Sequence, residues 1–343
     1  VTPSRRIEEA LRISRQVVEA TPAPIVVVGL DYRCRWMNPA FRTCFRVMER
    51  DLIGRVLPEV AGLGAFVAAI RQALDRCLAG EERTHQGWFD FPGGERRFLA
   101  TTHTPLRSPS GVIEGAAVIV SELTALKLAG EAHNRRAEQL RMQQSTLFAL
   151  AKDEAVQNGY VREAARVLTE NAAHTLDVAR ASLWMFVDDR AVLELMDSYE
   201  TESGRHATGH RLVAKEHPDW LEAVESTEVA LDLEDARADP RLGSLAAAYL
   251  EPLGVGAVLH APIRLNGHLV GVLALEHGGG PRQWSIEEQT FAGSISTLVT
   301  LALEARQLRQ SEARFRHLVD GAPVGFCIYG AQGQVLRVNR AFA

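Results

Sequence analysis

Apolar residues in this chain alternate at two different periods, and one short stretch shows the β period most clearly. Residues 254–277 read GVGAVLHAPIRLNGHLVGVLALEH, two runs of β-forming residues on either side of Asn266-Gly267. That dipeptide accepts positive φ at both positions and suits a tight type I′ turn. A two-residue loop places Ile263 opposite Val270, Leu259 opposite Ala274, Val258 opposite Leu275 and Arg264 opposite Leu269. Both faces are largely apolar near Val258 and Leu275, so the sheet needs cover on both sides. Pro262 lacks an amide donor, so its strand is expected to be an edge there or to be bulged.

The helical period surrounds this hairpin. Residues 161–176 place Ala164, Leu168, Ala172 and Leu176 on one face. Residues 181–187 and 192–199 read as a second hairpin around Asp188-Asp189-Arg190. Segments 217–224 and 242–250 read as helices. A long helix is expected from Ser285, whose side chain can cap it with Glu288 at the capping-box position.

The N-terminal part follows another order. A helix at 7–19 is stopped by Pro22 and Pro24. Strands follow at 25–28 and 33–37, and Asn38 is placed to cap a helix with Pro39 at its first position. A helix at 66–78 precedes strands at 85–91, 97–105 and 112–120, separated by Pro92-Gly93-Gly94 and Ser108-Pro109-Ser110-Gly111. The fold class expected is α+β: antiparallel sheets flanked by helices, joined by amphipathic connector helices.

The end of the chain repeats its start. A shift of 301 brings Pro22 onto Pro323, Gly29 onto Gly330, Asn38 onto Asn339 and Phe41 onto Phe342, and the run 25–28 onto 326–329. Between the repeats lie two connectors with apolar positions near heptad a/d spacing. One carries Leu126, His133, Ala137, Leu140 and Leu147. The other carries Leu298, Leu301, Ala305, Leu308, Phe315 and Val319, with Glu312 as the charged interruption. Such seams point to a homodimer formed through parallel helices. The chain is therefore divided as an N-terminal helix 1–19, a first domain 20–125, a connector 126–145, a central domain 146–306, and at 307–343 a second connector with the start of a repeated domain. Because the repeat holds only its opening, the chain is expected to be a piece of a longer protein.

Composition narrows the classes. With 343 residues and a net charge of −5, nucleic-acid binding, which wants a basic face, is not expected. Four cysteines (Cys34, Cys44, Cys77 and Cys327) show neither CxxC spacing nor the density of a disulfide scaffold. A reducing cytoplasm fits them best, and no apolar run approaches the length of a membrane span.

The stretch 311–343, SEARFRHLVDGAPVGFCIYGAQGQVLRVNRAFA, and its counterpart near 20 resemble the opening of a PAS domain. Glu122-Leu123-Thr124 resembles the exit motif of that domain. The central region is similar to a bacterial GAF subgroup through Asp239-Pro240-Arg241, Glu276-His277, Arg282, Trp284, Glu287-Glu288 and Phe291-Ala292. PAS and GAF domains are sensory modules of bacterial signalling proteins. The resemblance implies a sensory region upstream of a histidine kinase or, next, a diguanylate cyclase.

Candidate chemistry is sparse. No GxxxxGK[ST], HExxH or GxSxG occurs, so the chain holds no catalytic domain and no catalytic residue is assigned. Gly278-Gly279-Gly280-Pro281 reads as a surface loop. His206 and His210 are four apart, with His217 nearby, but Gly204 and Gly209 favour a loop and no metal is expected there. Ligand-pocket candidates are Trp184, Tyr199, Leu259, His260 and Leu273 in the GAF-like domain, and Trp36, Phe66, Phe89 and His103 in the PAS-like one. Glu276 and His277 are expected to clamp onto Arg282. Covalent bilin has no cysteine within 146–306, and no cysteine matches the Asn-Cys helix of flavin-adduct sensors. Haem has no histidine between 22 and 84, where haem-binding PAS domains carry the ligand. The leading expectation is a ligand- or partner-sensing relay through dimeric helices. The alternative is a ligand-free dimerisation or docking scaffold, and a third is an enzyme acting at the His206–His217 cluster.

Overall fold

The computed structural model describes residues 3–60, 62–91, 94–325, 327–338 and 341–342. The chain divides into two compact units, Val1–Arg135 and Arg136–Ala343.

In the first unit, helix α1 (Pro3–Ala20) leads into strands β1 (Ile25–Gly29) and β2 (Cys34–Met37). Helices α2 (Pro39–Phe45), α3 (Glu49–Leu52) and α4 (Gly64–Leu78) follow, then strands β3 (Arg83–Asp90), β4 (Arg96–Arg107) and β5 (Ile113–Glu122). The five strands form one antiparallel sheet in the order β2-β1-β5-β4-β3. Asn38 organises the start of this unit. It is fully buried, its Oδ1 accepts from the Ile25 and Phe41 amides at 2.9 and 3.0 Å, and its Nδ2 donates to the Ala23 carbonyl at 2.8 Å. One side chain thus caps α2 and ties it to the first strand.

Helix α5 (Thr124–Ala151) continues into the second unit, where α6 (Glu154–Gln157) and α7 (Val161–Leu176) follow. The strands are β6 (Arg180–Val187), β7 (Val192–Glu200), β8 (Arg205–Ala207), β9 (Arg211–Val213), β10 (Leu231–Leu233), β11 (Val255–Leu265) and β12 (His268–Gly278). They pair in the order β10-β11-β12-β6-β7-β8, with β9 also on β7. Helix α8 (Pro218–Ser226) and helix α9 (Gly243–Leu245), which runs into a π-helical turn at Ala246–Leu250, cover one sheet face. Helices α7 and α10 (Ile286–Gly321) cover the other. The two-sided cover expected from the apolar hairpin is therefore present. Gly159, at φ +68°, lets the loop before α7 press against α10, since an added Cβ there would collide with the Arg306 backbone.

The central hairpin turns as expected, with Asn266 and Gly267 at φ +52° and +81°. Arg264 pairs with Leu269, but an irregularity beyond Ile263 shifts the register by one. Ile263 consequently faces Gly271 rather than Val270, Leu259 faces Leu275 rather than Ala274, and Val258 faces Glu276 rather than Leu275. The cause is a β-bulge, one extra residue on β12. Pro262 lies beyond the end of β10, where β11 is an edge.

The Ser285 capping box is complete, with Glu288 reaching back to the cap amide at 2.8 Å. Helix α10 then runs 36 residues without a break. Phe291, Ile295, Val299 and Ala302 are buried in the core, while Leu308, Phe315 and Leu318 are 64%, 56% and 71% exposed.

The internal repeat is structural as well as sequential. Strands β13 (Cys327–Tyr329) and β14 (Val335–Val338) pair Cys327 with Val338, Ile328 with Arg337 and Tyr329 with Val335. Strands β1 and β2 pair Val26 with Met37, Val27 with Trp36 and Val28 with Cys34, each position 301 lower, with the register shift at the same step. The Gly29 amide bonds the Arg33 carbonyl and the Gly330 amide bonds the Gln334 carbonyl, at 2.9 and 2.7 Å. Phe326 and Asn339 lie outside the described residues.

Candidate functional site

Strand pairing in the second unit arranges its side chains in rows that run across the sheet. Successive residues of a strand point to opposite faces, so directly paired residues share a face. One row contains Val258, Glu276, Arg180 and Glu200; the next contains His260, Ala274, Ser182 and Ser198; the third contains Pro262, Val272, Trp184 and Leu195. All three face α8, α9 and the π-helical turn. The rows between them, Leu259-Leu275-Ala181-Tyr199 and Ala261-Leu273-Leu183-Asp197, face α7 and α10.

Of the five pocket candidates here, Trp184 and His260 therefore share a face. Tyr199, Leu259 and Leu273 sit on the opposite one, packed in the helix-side core. Tyr199 meets His174 of α7, with 2.9 Å between its Oη and the histidine Nε2. Between Trp184, His260 and the covering helices lies a cavity of about 20 Å³, also bordered by Trp220, Tyr249, Leu250 and Glu276. That volume holds about one water molecule.

The electrostatics of this face are set by burial. Glu276 is 1% exposed, and its Oε2 accepts from Arg180 Nη1 at 3.0 Å. Arg180 Nη2 also donates to Glu200 at 3.1 Å. Burial raises the Glu276 pKa, and the Arg180 charge opposes that rise. Glu276 Oε1 has no donor in close hydrogen-bonding geometry, and the Tyr249 phenol acts only weakly on the carboxylate. The Tyr249 phenol is pushed well up, first by burial and then by the Glu276 charge. Trp220 Nε1 donates to His260 Nδ1 at 2.9 Å. Indole nitrogen only donates, so the histidine carries its proton on Nε2. Burial lowers the His260 pKa to about 4, leaving the ring neutral at pH 7.

Of the expected clamp, His277 lies beside Arg282 while Glu276 does not. Glu276 is turned to the cavity face and pairs with Arg180. Arg282 pairs with Glu288 at 2.7 Å, lies 3.4 Å from His277 Nδ1, and donates to the Leu176 and Asp177 carbonyls. It ties the end of α7 to the start of α10. The bulge in the hairpin explains the change, because it exchanges the face on which Glu276 emerges.

The three histidines singled out by spacing are not gathered. His206 is on β8 and bonds Asp197 at 2.9 Å, His210 lies beside Trp184 at a ring distance of 6.1 Å, and His217 bonds Ser244 at 2.8 Å. Asp197 is fully buried and also accepts from Thr169 at 2.5 Å. Arg241 folds back on Asp239 at 2.5 Å, closing the Asp-Pro-Arg turn on itself.

In the first unit, Phe66 and Phe89 meet with tilted rings at 5.3 Å between centres and lie in the core face with His103. His103 is fully buried, its Nε2 meets Thr101 Oγ1 at 3.0 Å, and its Nδ1 has no partner. Burial, with His85 adding to it, lowers its pKa to about 4. Trp36 is on the other side of the sheet, half-buried and paired with Val27.

Arg180, Tyr249 and Trp220 were not singled out by sequence. Arg180 reads as an ordinary strand terminus, and Tyr249 and Trp220 sit on segments whose docking onto the sheet no local pattern specifies. A period-2 alignment of residues 180–184 with residues 272–276 would have found Arg180.

This layout defines an α+β chain of two different sheet-and-helix modules. Family models match a PAS fold at residues 18–128, a GAF domain at 161–303 and a PAS domain at 313–343. The chain is thus a PAS- and GAF-containing one, with the PAS fold in the first unit and the GAF domain in the second. Among solved structures, it is similar to the blue-light absorbing form of the Thermosynechococcus elongatus PixJ GAF-domain, with 24% identity, 46% of this chain and 93% of that one covered, and a TM-score of 0.39. It is also similar to a dark and steady-state-illuminated structure of the cyanobacteriochrome receptor PixJ, with 23% identity, 42% and 95% covered, and a TM-score of 0.36. Among the described residues no helix is long and apolar enough to cross a membrane.

Proposed function

We propose that this chain is the sensory region of a cytoplasmic signalling protein. In this reading its GAF domain binds a small ligand on the Trp184–His260–Glu276 face and relays occupancy through α10 in a homodimer. The output favoured is a histidine kinase, with a diguanylate cyclase next. The observation that carries the reading is α10 itself. Its first turns are GAF core, and its later turns expose Leu308 and Phe315 one heptad apart. A change in how the core packs on Phe291 or Ile295 therefore acts on the same rigid rod that presents the seam. Such a relay works only if the ligand prefers one of two packings.

Leu308→Glu in the parent protein is expected to uncouple output from signal while the GAF domain stays folded. Unchanged regulation in that variant would overturn the relay. The small size of the cavity favours a second reading, a docking scaffold without ligand. In that case the variant would lose assembly, but no small molecule would shift its melting temperature.

A further inference from the structure

The cavity in the GAF domain differs from an ordinary packing void in its polar chemistry. Glu276 borders it, is almost wholly buried, and has no donor in close hydrogen-bonding geometry with Oε1, the Tyr249 phenol acting on the carboxylate only weakly. A buried carboxyl oxygen with no close donor is costly, so an occupant that donates to it is favoured. The other wall is aromatic: Trp184, Trp220 and Tyr249 border the same space, and Trp184 meets Tyr249 edge-on at 5.7 Å.

Charge narrows the class of occupant. Arg180 is shared by Glu276 and Glu200, so one guanidinium balances two carboxylates. His260 is neutral and adds no positive charge. An anion would meet this excess negative charge, and a neutral alcohol would bring a single donor. A protonated primary amine brings three donors and a charge that ring faces attract. Size narrows it further. About 20 Å³ admits a water-sized group, which an ammonium head is. Leu250, which lines the cavity, offers an apolar surface toward a short tail.

We propose that this cavity binds the ammonium head of a small primary amine, anchored on Glu276 Oε1 and walled by Trp184, Trp220 and Tyr249. The inference rests on the reading that this face is the ligand site.

The test is a thermal-shift and tryptophan-fluorescence titration of the whole chain with ethylammonium chloride, against ethanol and sodium acetate at matched ionic strength. Ethylammonium is expected to give a saturable shift, and ethanol and acetate none. Glu276→Gln, which keeps the Arg180–Glu200 pair, is expected to weaken ethylammonium binding by about tenfold or more. Ala274→Val, which fills the cavity without touching a charge, is expected to abolish it. Equal responses to ethanol and ethylammonium would overturn the amine class while leaving a ligand face. So would unchanged binding in Glu276→Gln. No response to any probe would overturn the inference outright, whereas the relay stands or falls separately with Leu308→Glu.

Discussion

The PAS and GAF units each bury a neutral histidine on the inner face of an antiparallel sheet, yet the two faces differ in kind. Around His103 the PAS core is built of phenylalanines: Phe45, Phe66, Phe89 and Phe91 meet ring to ring at 4.6–5.3 Å. Its ions stay near the rim, where Arg97 pairs with Glu95 and Glu122. Around His260 the GAF face carries an ionic row, Glu276-Arg180-Glu200, from the interior outward. The two histidines are lowered to about the same pKa by the same cause, burial. The lesson is that a buried histidine is a packing element on either sheet. What separates the GAF face is a buried carboxyl oxygen with no close donor, set beside open space.

The largest expected effect comes from breaking the ionic row. Arg180→Ala strands the Glu276 carboxylate, and should destabilise the GAF unit by about 3–5 kcal/mol, whereas the double change Arg180→Met with Glu276→Met should cost far less. Urea unfolding of the whole chain, followed by tryptophan fluorescence, reads both. Equal losses in the single and double variants would show that the pair is not the feature that matters.

Acid sharpens the comparison. Each histidine has a folded pKa near 4 against 6.5 in the unfolded chain, so the unfolded state takes up the proton first. Stability is full above about pH 6.5 and falls as the pH drops toward 4, by about 3 kcal/mol per histidine. Glu276 acts in the opposite direction. Its raised pKa means the folded state binds the proton more readily, so it gains stability as the pH falls. His103→Leu should therefore flatten the acid profile of the PAS unit, and Glu276→Gln should steepen that of the GAF unit, where burial also lowers His217 and His277. Acid profiles left unchanged by both substitutions would contradict this assignment.

A smaller effect tests the local architecture of the PAS side. Asn38→Ala removes a cap and leaves the Ile25 amide without its acceptor, at an expected cost of about 2 kcal/mol. The loss should be confined to the PAS transition in the same urea experiment, and a shift in the GAF transition would count against the Asn38 assignment.

Much of the architecture was legible because single residues dictate it. Asn266-Gly267 fixes a turn, Asn38 and Ser285 fix helix starts, and the 301-residue repeat returns as matching strand registers. The candidate site was only half legible, and the reason is physical. Both sheet faces are apolar, so alternation alone cannot say which residues look toward a cavity. One extra residue at the hairpin bulge then exchanged the faces of the partner strand beyond it. Trp184 and His260 fall on the cavity face, Tyr199, Leu259 and Leu273 on the other, and Glu276 emerges beside the cavity instead of the Arg282 loop. His206 and His210 were spaced as for a helix but lie in a β8–β9 segment, which sends their rings to different neighbours.

Helix α10 joins these two kinds of surface, buried at Phe291 and exposed at Leu308. The most direct test is sedimentation equilibrium of the whole chain beside its Leu308→Glu variant, with circular dichroism to confirm the fold of each. The account predicts a dimer that the charge converts to a folded monomer, with stability changed by no more than about 0.5 kcal/mol. A parent chain that stays monomeric at every concentration, or a variant that dimerises as well as the parent, would contradict it.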